Sequence, residues 1–269
     1  MFKRKEKIGI VTITKNRIKN LIPSVLTWMQ VKEVEHINIF DFCSDMPVYG
    51  ALKRFSILDD KRIHVFRSEK KEDFHRSKFW NIAIGATTTE KILKLDSDYK
   101  LHPYFLKYHP LNTENLFYAG NWKTARIKNE MFLHGLIYAE KKAFVEVGGY
   151  NERLTGYGWE DDDIYNRLKD AGYQYLDIEY DYAYHIPHSH LERIKADKRK
   201  NVSSYDEESA TKMDDQGCVP LYPYDVQNEM LRLVDKNRIK AEKTPWGNWE
   251  EMSKIKSKET RGRLTIFDY

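Results

Sequence analysis

Two aspartates separated by one residue, Asp96 and Asp98, are the first side chains in this sequence that could do chemistry together. They directly follow KILKL, a short and largely apolar run that is typical of a buried strand. Carboxylates at a strand end can bind a hard divalent cation such as Mg²⁺ or Mn²⁺, which prefers oxygen ligands and bridges protein carboxylates to phosphates. An acidic pair after a strand is more often a solvated turn, so this pair alone predicts little.

A second group is the acidic run Glu160-Asp161-Asp162-Asp163, which follows a Gly-Tyr-Gly-Trp loop. The run falls at a predicted helix start, where the helix dipole favours negative charge, so capping and solvation explain part of it. The loop before it is typical of a mobile lid over a sugar. A carboxylate whose pKa is raised by like-charged neighbours could accept a proton from a hydroxyl. Capping and catalysis explain the run about equally well.

Histidines form the third group, with His185, His188 and His190 close together after a tyrosine-rich, strand-like segment. Neutral imidazole is a common metal ligand. A lone histidine is more often structural, but the clustering favours a role in metal binding.

The elements that must position these groups can be predicted from the apolar pattern. The predicted strands cover 8–14, 36–42, 62–67 and 91–95, and the predicted helices cover 18–30 and 75–88. Alternating strands and helices predict a parallel sheet covered on both faces. In such sheets ligands bind beyond the carboxyl ends of the strands. We therefore expect the polar segments 12–17, 41–45 and 96–98 to meet at one edge.

The second half of the chain is less regular. Residues 160–171 have a helical pattern that ends at Gly172, and residues 173–184 are strand-like. Beyond about residue 191 the sequence is polar, rich in lysine and interrupted by prolines. We predict a helical C-terminal extension over residues 191–269.

Composition limits the classes of function. The chain has 269 residues, enough for one large α/β domain with or without an appendage. Its net charge of +4 comes from interspersed acids and bases, which argues against binding nucleic acid through a charged patch. Neither of the two cysteines belongs to a CxxC pair, so no zinc site or disulfide framework is indicated. Without a signal peptide or an 18-residue apolar run, a cytoplasmic protein is expected, and peripheral association with the inner face of a membrane stays open.

Taken together and in this order, the motifs resemble those of the GT-A glycosyltransferases. The likeness is to the inverting group that includes bacterial family 2 enzymes, chondroitin-polymerase-type domains and β-1,4-galactosyltransferases. It is carried by IGIVTITKNR, INIFDFCSD, FHRSKFWNIAIGATTTEKILKLDSD, and VGGYNERLTGYGWEDDDIYNRLKDAGY followed by AYHIPH. The resemblance implies a Rossmann-like mixed sheet flanked by helices, with a nucleotide-binding half at 1–98 and an acceptor-binding half at 99–190.

The resemblance also implies roles for individual residues. Asp161 would be the catalytic base and Asp98 a metal ligand. His185 matches the metal histidine of chondroitin-polymerase-like enzymes and is favoured, while His188 matches the galactosyltransferase pattern and is kept. The implied nucleotide-binding residues are Thr12, Thr14, Arg17, Asp41, Arg76, Asn81 and Asp96. The implied acceptor-binding residues are Gly149, Trp159, Glu160 and Asp162.

The implied reaction uses Mn²⁺ or Mg²⁺ as cofactor. It moves a hexose or N-acetylhexosamine from a UDP-linked donor to a glycan or lipid-linked oligosaccharide, with inversion. Two alternatives stay open. A sugar nucleotidyltransferase shares the core but normally has a glycine-rich loop after the first strand, whereas Thr14–Arg17 contains no glycine. A non-catalytic carbohydrate-binding protein could keep the fold, but the expected acids and a histidine are all present here.

Overall fold

The computed structural model of the protein describes residues 7–72, 74–152, 154, 160–189 and 256–269. Within these ranges eleven strands form a nine-stranded mixed sheet and a separate two-stranded sheet. The strands are β1 Ile8–Thr14, β2 Val34–Phe42, β3 Ile63–Ser68, β4 Lys91–Lys94, β5 Tyr99–Leu101, β6 Leu116–Ala119, β7 Ile137–Glu140, β8 Gln174–Asp177, β9 Ala183–His185, β10 Lys256–Arg261 and β11 Leu264–Asp268.

The large sheet has the strand order β10-β11-β3-β2-β1-β4-β7-β6-β8. The five strands from β11 to β4 are parallel to one another, whereas β10 is antiparallel to β11, and β7 is antiparallel to both β4 and β6. The small sheet pairs β5 with β9 in antiparallel register. Because parallel strands end at the same edge, the loops after β1 and β4 lie side by side at the carboxyl ends of adjacent strands.

Helices cover both faces of the large sheet. They are α1 Ile18–Trp28, α2 Val48–Arg54, α3 Arg76–Ala86, α4 Phe105–Tyr108, α5 Lys128–Met131, α6 Lys141–Glu146 and α7 Glu160–Asp170. Side chains of β1 alternate between two hydrophobic clusters, since Ile10 packs in the cluster that includes α1, and Val11 and Ile13 pack in the cluster that includes α3 and α7. Both faces of a strand buried between helix layers must be apolar, which explains the continuous apolar run of β1.

The predicted α/β architecture, a mixed sheet flanked by helices, is confirmed. The predicted strands 8–14, 36–42, 62–67 and 91–95 correspond to β1, β2, β3 and β4, within a few residues at their ends. The strand-like segment 173–184 divides into β8 and β9, which belong to different sheets and are separated by a 3₁₀ turn at Tyr180–Tyr182. Helix α2 was not predicted, since Cys43 to Pro47 indicate only a turn before it.

The helical C-terminal extension predicted over 191–269 is wrong for residues 256–269, which form β10 and β11. Strand β11 pairs in parallel with β3, and its Phe267 is fully buried beside Phe40 and Phe42. Strand β10 is exposed along its length, and its polar residues suit an edge strand that must not pair with other chains. Because β10 has no apolar residues, the apolar pattern of the sequence could not predict it. Residues 191–255 lie outside the described ranges, and the proposed division into halves and an extension stays a prediction.

Among the residues that the structure describes, no helix has the length and apolar character required to cross a bilayer.

Candidate active site

A cleft opens at the carboxyl ends of β1 and β4. One wall comes from the loop after β1 and another from the segment Asp96–Tyr99 that follows β4. The remaining wall residues are Phe74, Arg76, Phe132, His185 and His188. The cleft therefore lies where ligands bind in open α/β sheets.

Asp98, His185 and His188 meet in this cleft as a group that could hold a metal ion. One potential ligand atom from each lies within 4.8 Å of the other two. The Oδ2 atom of Asp98 is 3.0 Å from His188 Nε2 and 3.9 Å from His185 Nε2. His185 Nδ1 lies 3.1 Å from the amide oxygen of Asn129, which can accept its proton and leave Nε2 facing Asp98. A carboxylate and two imidazoles suit Mn²⁺ or another borderline divalent cation, so these residues fit the cofactor implied by the resemblance.

Arg17 supplies positive charge at this group. Its Nη2 donates to Asp98 Oδ2 at 2.9 Å. Burial would raise the pKa of Asp98, but the hydrogen bond with His188 and the nearby positive charges outweigh burial and hold that pKa well below its usual value. Asp98 is therefore a carboxylate at neutral pH, the form that binds a cation.

Thr14 lies in the cleft wall and carries a buried hydroxyl without a hydrogen-bond partner among the described residues. Most buried polar groups are hydrogen-bonded, so an exception at a cleft is typical of an atom that contacts a ligand.

Asp96, which lines the cleft, and Asp161, which does not, approach the same residue, Gly135. A Cβ added to Gly135 would lie 3.2 Å from Oδ2 of Asp96 and 3.2 Å from Oδ2 of Asp161, so the two carboxylates flank the same glycine. The other oxygen of Asp161, Oδ1, accepts hydrogen bonds from Lys94 Nζ at 2.9 Å and from Tyr150 Oη at 3.2 Å. The end of β4 and the start of α7 thus bring two acids from distant parts of the sequence to one place.

Lys94 is a residue of this site that sequence reasoning missed. It is 1% exposed and lies in β4, between the apolar residues Leu93 and Leu95. Lysine is almost never fully buried unless it is paired. A lysine inside a buried strand just before two aspartates was the available signal, because its charge must be balanced by acids nearby.

Arg76 lies between two acids of the site. Its guanidinium is 4.0 Å from Asp96 Oδ2 through Nη1 and 4.0 Å from Glu160 Oε1 through Nε. Glu160 is 4% exposed, and burial, reinforced by the charge of Asp161, raises its pKa to about 7. The Oε2 atom of Glu160 is buried and has no hydrogen-bond partner in the described part of the chain.

None of the predicted acceptor residues that the structure describes, Gly149, Glu160 and Asp162, lines the cleft. The carboxylate of Asp162 is bound by His134, whose Nε2 lies 3.1 Å from Oδ2. Burial lowers the pKa of His134, but this bond outweighs it and gives a net raised pKa. Gly149 has a φ of 72° and donates its N–H to Phe144 O after α6, a position that favours glycine. Trp159 lies outside the described residues.

Three predicted nucleotide-binding residues are also not brought to the cleft. Thr12 is fully buried inside β1. Asp41 is fully buried, and its oxygens accept hydrogen bonds from Ser44 N, Val48 N and Arg67, which fix the loop before α2. Asn81 donates to and accepts from the backbone of Tyr150. The cleft is lined by the other four predicted nucleotide-binding residues, Thr14, Arg17, Arg76 and Asp96.

Comparisons with known protein families and solved structures find similarity to glycosyltransferases. A family profile described as the N-terminal domain of galactosyltransferase matches residues 118–191. No curated protein matches the chain by sequence.

Solved structures resemble the whole fold. A Drosophila β-1,4-galactosyltransferase 7 mutant, solved with manganese, UDP-Gal and xylobiose, has a TM-score of 0.53 at 17% identity, over 98% of this chain and 93% of its own. A mannosyltransferase from Pyrobaculum calidifontis, solved with GDP-Man and Mn²⁺, has a TM-score of 0.57 at 10% identity, over 93% of this chain and 86% of its own. The protein has the GT-A fold, and the profile match together with this fold supports a glycosyltransferase.

Proposed function

We propose that this protein is a metal-dependent, inverting glycosyltransferase. It transfers a hexose or N-acetylhexosamine from a UDP-linked donor to a hydroxyl group of a glycan or a lipid-linked oligosaccharide. The observation that carries the proposal is the meeting of Asp98, His185 and His188 in one cleft whose wall also contains Asp96, with Asp161 close to Asp96 at Gly135. A cytoplasmic location, with peripheral contact with a membrane, stays a prediction.

The donor binds at the carboxyl ends of β1 and β4. A divalent cation, held by Asp98, His185 and His188, would neutralise charge on the departing diphosphate. Arg17 and Arg76 line the same cleft and add positive charge for the phosphates. A UDP-linked donor is supported by the galactosyltransferase profile and by the Drosophila enzyme, which was solved with UDP-Gal.

Asp161 acts as the base. Lys94 and Tyr150 engage its Oδ1 atom, so Oδ2 is the oxygen that faces Gly135 and Asp96. As the acceptor oxygen attacks the anomeric carbon, its proton passes to Asp161 Oδ2 and the bond from that carbon to the diphosphate breaks. Attack and departure occur on opposite faces of the sugar, which inverts the anomeric configuration.

Release of nucleotide from sugar donors tests this function. We expect the purified protein to liberate UDP slowly from at least one UDP-hexose or UDP-N-acetylhexosamine in the presence of Mn²⁺. EDTA should abolish the release and added Mn²⁺ should restore it. Absence of release from every donor, or equal release in EDTA, would contradict the proposal. Formation of a UDP-sugar and pyrophosphate from UTP and a sugar phosphate would instead identify a sugar nucleotidyltransferase.

The variant D161N tests the role of the base. We expect transfer to an acceptor to fall by about 10²- to 10⁴-fold, the usual contribution of a general base, while UDP and Mn²⁺ still bind. The matched control is D170N, at the exposed far end of the same helix, which should keep wild-type activity. A D161N variant with near-normal turnover would show that Asp161 is not the base.

A further inference from the structure

The positive charge of Lys94 lies close to the carboxylates of Asp96 and Asp161. Its ammonium group donates to the carbonyl oxygen of Gly135 at 2.6 Å and to Asp161 Oδ1 at 2.9 Å, and it lies 3.7 Å from Asp96 Oδ1. An ammonium group has three protons. One amine therefore bonds the turn that carries Gly135 and the start of α7, and also faces the acid that follows its own strand.

The ammonium group of Lys94 also contacts two aromatic rings. Lys94 Nζ lies 4.4 Å from the centre of the Trp80 ring and 5.5 Å from that of Tyr150, distances at which a cation is attracted to a ring face. Burial lowers the pKa of Lys94, but the charges of Asp161 and Asp96 outweigh burial and leave it raised. The lysine therefore stays charged in the folded protein.

The contacts of Asp161 are asymmetric. Lys94 and Tyr150 both donate to Oδ1, whereas Oδ2 faces Gly135, where a side chain would come within 3.2 Å of it. Two donors on one oxygen fix the rotation of the carboxylate. The absence of a side chain at Gly135 keeps room beside the other oxygen.

We propose that Lys94 is a positioning residue for the transfer reaction: together with Tyr150 it holds the Asp161 carboxylate turned so that Oδ2 meets the acceptor hydroxyl. This role rests on the proposed function of Asp161 as the base. Without the ammonium group, Asp161 Oδ1 would lose a charged hydrogen-bond donor, and the carboxylate could rotate away from the acceptor hydroxyl.

Lys94 bonds Asp161 directly, at 2.9 Å from Oδ1. Arg76, a second cation near the site, lies 4.0 Å from Asp96 and 4.0 Å from Glu160. Replacement of Lys94 therefore tests the orientation of Asp161.

The test compares kcat and KM for transfer in K94Q, which removes the charge of the side chain. We expect kcat to fall at least about tenfold while KM for the donor changes little, because a misoriented base slows proton transfer without weakening donor binding. Binding of UDP and Mn²⁺, measured by calorimetry, should change little. In a D161N background, K94Q should add almost no further loss, because residues that act as a unit are not additive.

Two variants separate this role from a structural one. K141Q removes another lysine that donates to backbone carbonyls, those of Gly85 and Thr87, and should leave kcat unchanged. If K94Q does not fold, Y150F removes the other donor to Asp161 Oδ1 and should give a smaller loss that is also absent in the D161N background.

An unchanged kcat in K94Q, a loss confined to KM, or additivity with D161N would overturn the positioning role while leaving the transferase in place. For Y150F, additivity with D161N or unchanged turnover would overturn it as well. A wild-type protein that neither transfers nor hydrolyses any donor would overturn the proposed function, and this role with it.

Discussion

Burial of Glu160 should make the stability of the protein depend on pH. The pKa of this carboxyl group rises from 4.5 to about 7 on folding, so between these values the folded protein binds a proton that the unfolded chain has lost. Stability contributed by the protonated group is therefore complete below about pH 4.5 and is lost as pH rises to about 7. At about 1.4 kcal/mol per unit, the loss is on the order of 3 kcal/mol.

The variant E160Q should remove this dependence because its side chain stays neutral. Relative to wild type, E160Q should become more stable as pH rises from 5 to 8, as measured by urea unfolding without metal or nucleotide. Glu114 is exposed, so E114Q is the control and its difference from wild type should not change with pH. A constant difference between E160Q and wild type across this range would refute the argument.

At the residue scale, type and order in the sequence predicted Asp98, His185 and His188, and the structure brings all three together. Both histidines lie in the cleft, so the choice of His185 over His188 was unnecessary. The sequence could not reveal Lys94, whose partner Asp161 is adjacent only after folding. The sequence also could not reveal that the carboxylate of Asp41 accepts hydrogen bonds from backbone N–H groups of the segment that follows it, because residue spacing does not specify which donors reach a carboxylate.

At the element scale, strand β11 extends the sheet beyond β3 and covers part of the core. Phe267 in this strand is fully buried and packs edge-on against Phe40 and Phe42. Truncation of a buried phenylalanine costs about 3–5 kcal/mol. We therefore expect F267A to lower the free energy of unfolding by about that amount, measured by chemical denaturation.

The control for this prediction is T265A, which changes a half-buried residue of the same strand. It should cost roughly 1 kcal/mol or less. Equal costs for the two variants would mean that β11 does not contribute Phe267 to the core. Strand β1 was predictable because both of its faces are buried and its sequence is therefore apolar. Strand β10, which forms a hairpin with β11, is charged and exposed, so its sequence contains no apolar pattern.

At the scale of the whole molecule, the metal-binding group joins residues that are far apart in the sequence. Asp98 follows β4, whereas His185 and His188 lie at and after β9, so the group exists only in the folded protein. A ligand that binds only the folded state stabilises it, by about 2.7 kcal/mol at a hundred times its Kd. Mn²⁺ should therefore raise the Tm of the wild-type protein by several degrees.

The variant H188A should lose most of this thermal shift because it removes one of the three ligands. H102A is the matched control, since His102 is exposed and contacts the rings of Tyr104 and Tyr182 instead of the cleft. A similar Mn²⁺-dependent shift in wild type and H188A would argue against the assigned ligands.

The short ladder between β5 and β9 has a consequence for how such a protein can diversify. Its three residue pairs set Tyr99 opposite His185, so His185 faces inward while Tyr184 faces solvent. A slip of one residue would exchange them and delete an ion ligand. The segment between these two strands also carries Asn129, which contacts His185, and Asp161, so a change in that segment preserves the site only if the ladder register and the positions of these two residues are kept.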